Sequence, residues 1–265
     1  MKWTVLSDNR TSDSRLETEH GLSILLETKQ LRVLLDTGAS DVFARNAEKL
    51  DVDIRNVDYV FISHGHADHA GGLQHFLAKN QQAKVIVSPE AMKGTFFSRR
   101  LCLHGITPAW PVDLDERRVD VGEPTCELEE GLRVIVRIPS NHPVPLGNQR
   151  LYVQDADGNL VPDDFRHELA LYVDGLLFTG CAHSGLENIL ESCPWPVHTV
   201  VGGFHLLDGY ESEEDLTALA MRLKAAYPHV QFYTSHCTSD MAFEVLRRVM
   251  GKQLSTFSCG KVVLV

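Results

Sequence analysis

The sequence predicts an α/β protein in which two packed sheets carry helices on their outer sides. Two observations predict it. The front of the chain is rich in short apolar strands, and each half ends in strands that alternate with helices. Of 265 residues, 43% are hydrophobic and 23% charged, a balance that suits a soluble globular protein with a sizeable core.

Apolar alternation predicts strands at Trp3–Ser7, Leu22–Glu27 and Leu31–Asp36, the last two joined at Thr28-Lys29-Gln30. Ser40 and Asp41 are placed to cap a helix that runs to about Leu50. Val57–Ser63 reads as a buried strand that stops at a histidine-rich loop, and Gly71-Gly72 lead into a helix ending near Lys79. Lys84–Ser88 is a further buried strand, and Pro89 suits the first turn of a helix. The stretch from about 94 to 160 is rich in proline and charge clusters, with one clear strand at Leu132–Ile138. It reads as a lid or insertion within a single domain spanning 1–265. Glu168–Val173 and Leu176–Thr179 then flank an Asp174-Gly175 hairpin turn. After a helix from Leu186 come a strand at His198–Val201 and a helix over Glu213–Ala226. A strand at Val230–Ser235, a helix over Asp240–Met250 and a final strand Val262–Val265 follow.

A net charge of −11 argues against non-specific nucleic-acid binding and against anchoring to anionic lipid, both of which need a dense basic surface. No apolar run reaches the roughly 18–20 residues of a membrane span, and the polar turn at Ser7-Asp8-Asn9-Arg10 interrupts any secretory apolar core. The six cysteines are scattered without a C-x-x-C pair and read as reduced thiols, so the expected compartment is the cytoplasm.

The feature that carries chemistry is Ser63-His64-Gly65-His66-Ala67-Asp68-His69, which follows the buried strand directly. Imidazole and carboxylate ligands together suit zinc, iron or manganese. Gly65 and Ala67 let the loop fold tightly, so that alternate side chains can face two metal positions roughly 3.5–4 Å apart. Two later strand ends offer more ligands: Gly180-Cys181-Ala182-His183 and Ser235-His236-Cys237-Thr238.

The H-x-H-x-D-H loop resembles the signature of the metallo-β-lactamase superfamily. That resemblance covers nearly the whole chain and implies a four-layer αβ/βα sandwich. It implies two divalent ions, zinc foremost with iron or manganese as alternatives. It gives His64 and His66 to one ion and Asp68 and His69 to the other. Glu19-His20-Gly21-Leu22-Ser23, Gly180-Cys181-Ala182-His183-Ser184-Gly185, Gly202-Gly203-Phe204-His205-Leu206 and Ser235-His236-Cys237-Thr238 together resemble one branch, that of dihydropterin–ribofuranosylaminobenzene phosphate synthase-like proteins. The branch would make His183 and His236 metal ligands and place His205 and His20 beside the substrate. Cys181 stands where most of the superfamily has a bridging aspartate, and it is either a ligand or an inert buried thiol. The chain departs from the branch at Ser239, where glycine is usual, and at His167, where aspartate is usual.

The remaining histidines read as ordinary. His75 and His229 suit surface or packing roles; His104, His142 and His167, in or near the irregular stretch, suit the surface, with reach into the site from a lid as the alternative. Val33-Leu34-Leu35-Asp36-Thr37-Gly38-Ala39-Ser40 is similar to the catalytic loop of aspartic proteases, but those enzymes need two aspartates sharing a proton. Asp-Thr-Gly occurs once here; the metallo-β-lactamase resemblance, in which a D-T-G commonly ends this early strand, implies instead that Asp36 supports the metal loop.

The expected function is metal-dependent hydrolysis of a phosphoester or pyrophosphate in a phosphorylated small molecule. Metal lowers the pKa of bound water from 15.7 to about 7 and so makes hydroxide available. Asp68 and His205 are the expected catalytic residues, His205 donating a proton to the leaving group or binding a phosphate oxygen. Two alternatives stay open: a transferase that joins a dihydropterin pyrophosphate to an aminobenzene ribose phosphate, and a metal-bound ligand sensor without turnover. Neither the sequence nor the resemblance specifies an oligomeric state.

Overall fold

The computed structural model describes residues 1–112, 114–122 and 124–265. The chain divides into two compact units. One comprises Met1–Val121, Tyr152–His167 and Ser258–Val265, and the other Gly122–Leu151 and Glu168–Phe257.

The first unit is built on a seven-stranded sheet. Its strands lie in the order Val262–Leu264, Lys2–Ser7, Ser23–Glu27, Arg32–Leu35, Tyr59–Phe61, Lys84–Ile86 and Arg118–Val119. Pairing is antiparallel among the first four and parallel from Arg32–Leu35 onward. The parallel strands are apolar on both faces, as strands covered on both sides must be. Leu34, Val60 and Val85 pack with Phe43 from helix Val42–Lys49 and Phe76 from helix Leu73–Lys79.

The expected cap at Asp41 is corrected by the structure: its side chain makes no cap hydrogen bond and pairs with Arg45 instead. Ser40 Oγ donates to Glu19 at 2.6 Å and accepts the Val42 N–H at 3.3 Å. Pro89 does open a helix, Pro89–Lys93, capped by the Ser88 hydroxyl. The stretch from about 94 to 160 holds more regular structure than its composition announces. Leu160–Pro162, Leu151–Gln154, Phe96–Arg99 and Leu103–Gly105 form a four-stranded sheet in that order.

The second unit carries the other seven-stranded sheet, ordered Leu254–Thr256, Gln231–Thr234, Thr199–Val201, Leu176–Phe178, Ala170–Val173, Leu132–Ile135 and Thr125–Glu129. Its first four strands are parallel and the rest antiparallel. Asp174 and Gly175, at φ 45° and 91°, make the tight turn between Ala170–Val173 and Leu176–Phe178. Helix Glu213–Ala226 begins in a reciprocal capping box between Ser212 and Asp215. Ser239 caps helix Asp240–Met250 by accepting the Ala242 N–H, which gives the serine at this position a structural use. Leu177, Val200 and Phe232 from the sheet meet Ile189, Leu223 and Leu246 from the helices in one core. Among the described residues no helix is long and apolar enough to cross a membrane.

In each unit the loops that follow the parallel strands gather at the carboxyl end of the sheet, where open α/β sheets bind ligands. Asp36 and His64 follow two adjacent strands of the first sheet, and Cys181, His205 and His236 follow three adjacent strands of the second.

Candidate metal centre

Asp36 organises the histidine loop of the first unit. Its carboxylate is fully buried and accepts the Ser63 N–H at 2.7 Å, the Ser63 hydroxyl at 2.8 Å and the His69 Nδ1–H at 2.6 Å. Because the Ser63 hydroxyl spends its proton on Asp36, its oxygen accepts from His64 Nδ1 at 2.8 Å. Both imidazoles therefore carry their proton on Nδ1 and present Nε2 as a lone pair, the state a metal requires. The backbone adds a second tie, since the His69 carbonyl accepts both the N–H and the hydroxyl of Thr37.

The rings of His64 and His66 lie 4.5 Å apart and those of His64 and His69 4.1 Å apart. Burial lowers the pKa of His64 far below its ordinary value, helped by the like charges of His69 and His66, and burial lowers His66 too. Neutral imidazoles result. Asp68 Oδ2 lies 3.7 Å from His69 Nε2 and 3.4 Å from His20 Nε2, on the solvent-facing side of the loop.

His167 corrects the surface role expected from the sequence. It is buried, with Nδ1 accepting the Gly65 N–H at 3.0 Å and Nε2 donating to Asp163 at 3.0 Å. Asp163 also stands 3.8 Å from His66 Nε2. Burial alone would raise the Asp163 pKa, but the imidazoles of His167 and His66 outweigh it and hold the carboxyl well below its usual range. The sequence signal was the spacing of Asp163 and His167 by four residues, hidden inside a polar run. His104 is exposed, and His142 pairs with Glu191 at 2.5 Å, both in accord with the ordinary roles expected of them.

In the second unit Glu168 does for one loop what Asp36 does for the other. Its buried carboxylate accepts the N–H groups of His183 and Ser184, each at 2.7 Å. Asn148 Oδ1 accepts from His183 Nδ1 at 3.2 Å while its amide donates to the His183 carbonyl at 2.8 Å, which again leaves Nε2 as the lone pair. The potential ligand atoms of Cys181, His183 and His205 lie within 4.8 Å of one another, and so do those of Cys181, His236 and Cys237. From the strand end that carries Cys237, the sequence reading assigns only His236 as a ligand. Burial works against its thiolate, yet the Cys181 thiol and the imidazoles of His205 and His236 favour it, and the pKa falls well below the ordinary thiol value.

Asp36, Ala182, His205 and His236 all hold left-handed backbone, with φ between 50° and 56°. Such conformations cost a non-glycine residue about 1–3 kcal/mol and gather where function demands them. Beside the His205 loop lies a cavity of about 240 Å³ lined by Val144, Leu146, Leu186, Phe204, Leu206 and Leu219, with Glu211 and the Glu187–Arg222 ion pair. The imidazoles of both units, the Asp68 carboxylate of the first and the buried Cys181 and Cys237 thiols of the second fit divalent transition-metal ions.

Residues 17–143 match the family model of the metallo-β-lactamase superfamily. The chain is 27% identical to the protein MJ0448 of Methanocaldococcus jannaschii, over 97% of this chain and 96% of that one. It is 23% identical to the 7,8-dihydropterin-6-methyl-4-(β-D-ribofuranosyl)-aminobenzene-5′-phosphate synthase of the same organism, covering 98% and 95% of the two chains. Among solved structures, Tm1679, a metal-dependent hydrolase of the β-lactamase superfamily, matches with a TM-score of 0.83 and 29% identity, covering 100% of this chain and 99% of its own. The chain thus has the metallo-β-lactamase fold, and residues 17–143 are similar to the metallo-β-lactamase superfamily.

Proposed function

We propose that this chain is a metal-dependent hydrolase that cleaves a phosphoester or pyrophosphate in a phosphorylated small molecule. The observation that carries the reading is the trio of buried imidazoles on one loop, with His64 and His69 locked by Asp36 into the tautomer that binds metal. His64, His66, Asp68 and His69, with His183, His236 and Cys181, would hold two divalent ions, zinc foremost. Such ions lower the pKa of a water ligand and neutralise charge building on the transferred and leaving oxygens.

The chain's own residues supply the rest. Asp68, facing His20 Nε2 at 3.4 Å, takes up the proton lost by the attacking water and shares it with that exposed imidazole. His205 donates a proton to the leaving oxygen or binds a phosphate oxygen. The cavity flanked by Phe204 and Leu206 receives the apolar part of the substrate. Support for a phosphorylated substrate comes from the synthase relative, whose product is a 5′-phosphate.

Full-length resemblance to that synthase favours a second reading, transfer of a dihydropterin group from its pyrophosphate to an aminobenzene nucleophile. The two readings separate in one assay. Protein purified without chelator is given phosphodiesters, pyrophosphates and a dihydropterin pyrophosphate, with and without the aminobenzene. Hydrolysis expects product without the amine, and transfer expects product only with it. In either case a chelator abolishes turnover and zinc restores it. His64→Ala and His236→Ala should each cost more than the roughly 10–100-fold loss typical of supporting residues. Turnover indifferent to the chelator and to both substitutions would sink both readings.

A further inference from the structure

We propose that the second unit holds a thiolate-bearing metal position in which Cys237 joins Cys181 and His236 among the protein ligands. The proposal deepens the metal-dependent reading and rests on it only for the presence of a divalent ion. It adds Cys237, and with it a second sulfur.

Cys181 and Cys237 lie on separate loops after the parallel strands Leu176–Phe178 and Gln231–Thr234, and both are buried. Their sulfurs and a ring nitrogen of His236 lie within 4.8 Å of one another. With metal–sulfur bonds of about 2.3 Å and metal–nitrogen bonds of about 2.0–2.1 Å, tetrahedral ligands sit about 3.3–3.8 Å apart. The trio therefore closes on an ion by a small inward adjustment of side chains.

The surroundings are made for sulfur. A Cβ at Gly203 would stand 2.3 Å from Cys237 Sγ, so the thiol occupies room that any other residue at 203 would fill. The His205 backbone N–H points at the same sulfur at 3.3 Å, a donor that offsets negative charge on a metal thiolate. Gly203 is itself fixed by donating its N–H to the Gly180 carbonyl at 2.7 Å, one residue before Cys181.

Two thiolates and one imidazole would supply three donors of the kind that hold zinc. Each thiol gives its proton to solvent as it binds. Sulfur ligands also select thiophilic ions such as zinc over manganese, which narrows the choice of metal at this position.

Cobalt(II) substitution of the full chain tests the assignment. The wild type is expected to show a thiolate-to-cobalt charge-transfer band. Cys181→Ser and Cys237→Ser should each reduce it to about half, since one of two sulfur ligands remains. The double variant should lose it, and Cys259→Ser should leave it unchanged. X-ray absorption on the zinc-loaded wild type, which needs no variant, should show sulfur scatterers at about 2.3 Å. Bound metal and chelator-sensitive turnover with no sulfur scatterer, or a band unmoved by Cys237→Ser, would overturn this proposal and leave the hydrolase reading intact. Failure to bind any metal would overturn both.

Discussion

In the first unit, His64, His66 and His69 come from a single six-residue stretch, and two of them lean on one buried carboxylate. In the second, Cys181, His183, His205, His236 and Cys237 come from three loops, and the support comes largely from backbone N–H groups, from Glu168 and from Asn148. The first arrangement concentrates its geometry in one residue. The second spreads it over many small fittings, none of which controls all the donors. A contiguous motif can be fixed by a single anchor because its members move together. Donors on separate strands need the sheet itself to hold them in register.

The sharpest test of this difference is Asp36→Asn. Losing the carboxylate that orients His69 and Ser63 should reduce metal affinity about 10–100-fold, measured by competition with a coloured chelator. An effect under twofold would show that the loop keeps its geometry without Asp36 and would erase the contrast. Gly203→Ala comes next. Its methyl group collides with Cys237, and overpacking of this kind costs about 1–3 kcal/mol of stability, readable in urea unfolding. Glu168→Gln removes one of two charge-assisted bonds to the His183 loop and should cost about 1 kcal/mol with a smaller metal effect than Asp36→Asn. An equal or larger loss of metal would mean that the second unit also has a single controlling anchor.

The smallest effect expected is in acid. Asp163 has its folded pKa depressed, so its contribution is fully present above the unfolded value of about 3.9 and is lost as pH falls through the folded value. Asp163→Asn should therefore lower stability at neutral pH and flatten the further loss below about pH 4. A curve parallel to that of the wild type at all pH values would show that Asp163 does not bias folding by its charge.

The same contrast explains what could be read from the residues. The histidine loop was legible because its donors are contiguous and follow an apolar strand. Helices Glu213–Ala226 and Asp240–Met250 were legible to their ends, since Ser212 and Ser239 cap them. His167 was not, because its burial depends on a contact with Gly65, 102 residues away, which no local pattern encodes. Cys237 looked like any core thiol next to a histidine, and what sets it apart, the close approach of Gly203 and the His205 N–H, comes from a separate loop. The strand Leu254–Thr256 is too short to show alternation, and it is recovered only through its parallel partner Gln231–Thr234.

The left-handed backbone at Asp36, Ala182, His205 and His236 has a consequence for laboratory evolution. At each of these four positions glycine would release backbone strain of about 1–3 kcal/mol. A selection that rewards thermal endurance alone would be drawn to Ala182, since at Asp36 the three hydrogen bonds lost outweigh the strain released. At Ala182 the exchange removes only a methyl group and preserves every donor. At the other three it deletes the side chains proposed here for chemistry. Heat-hardened descendants of this protein should therefore be changed at 182 and still turn over, while 36, 205 and 236 keep their side chains.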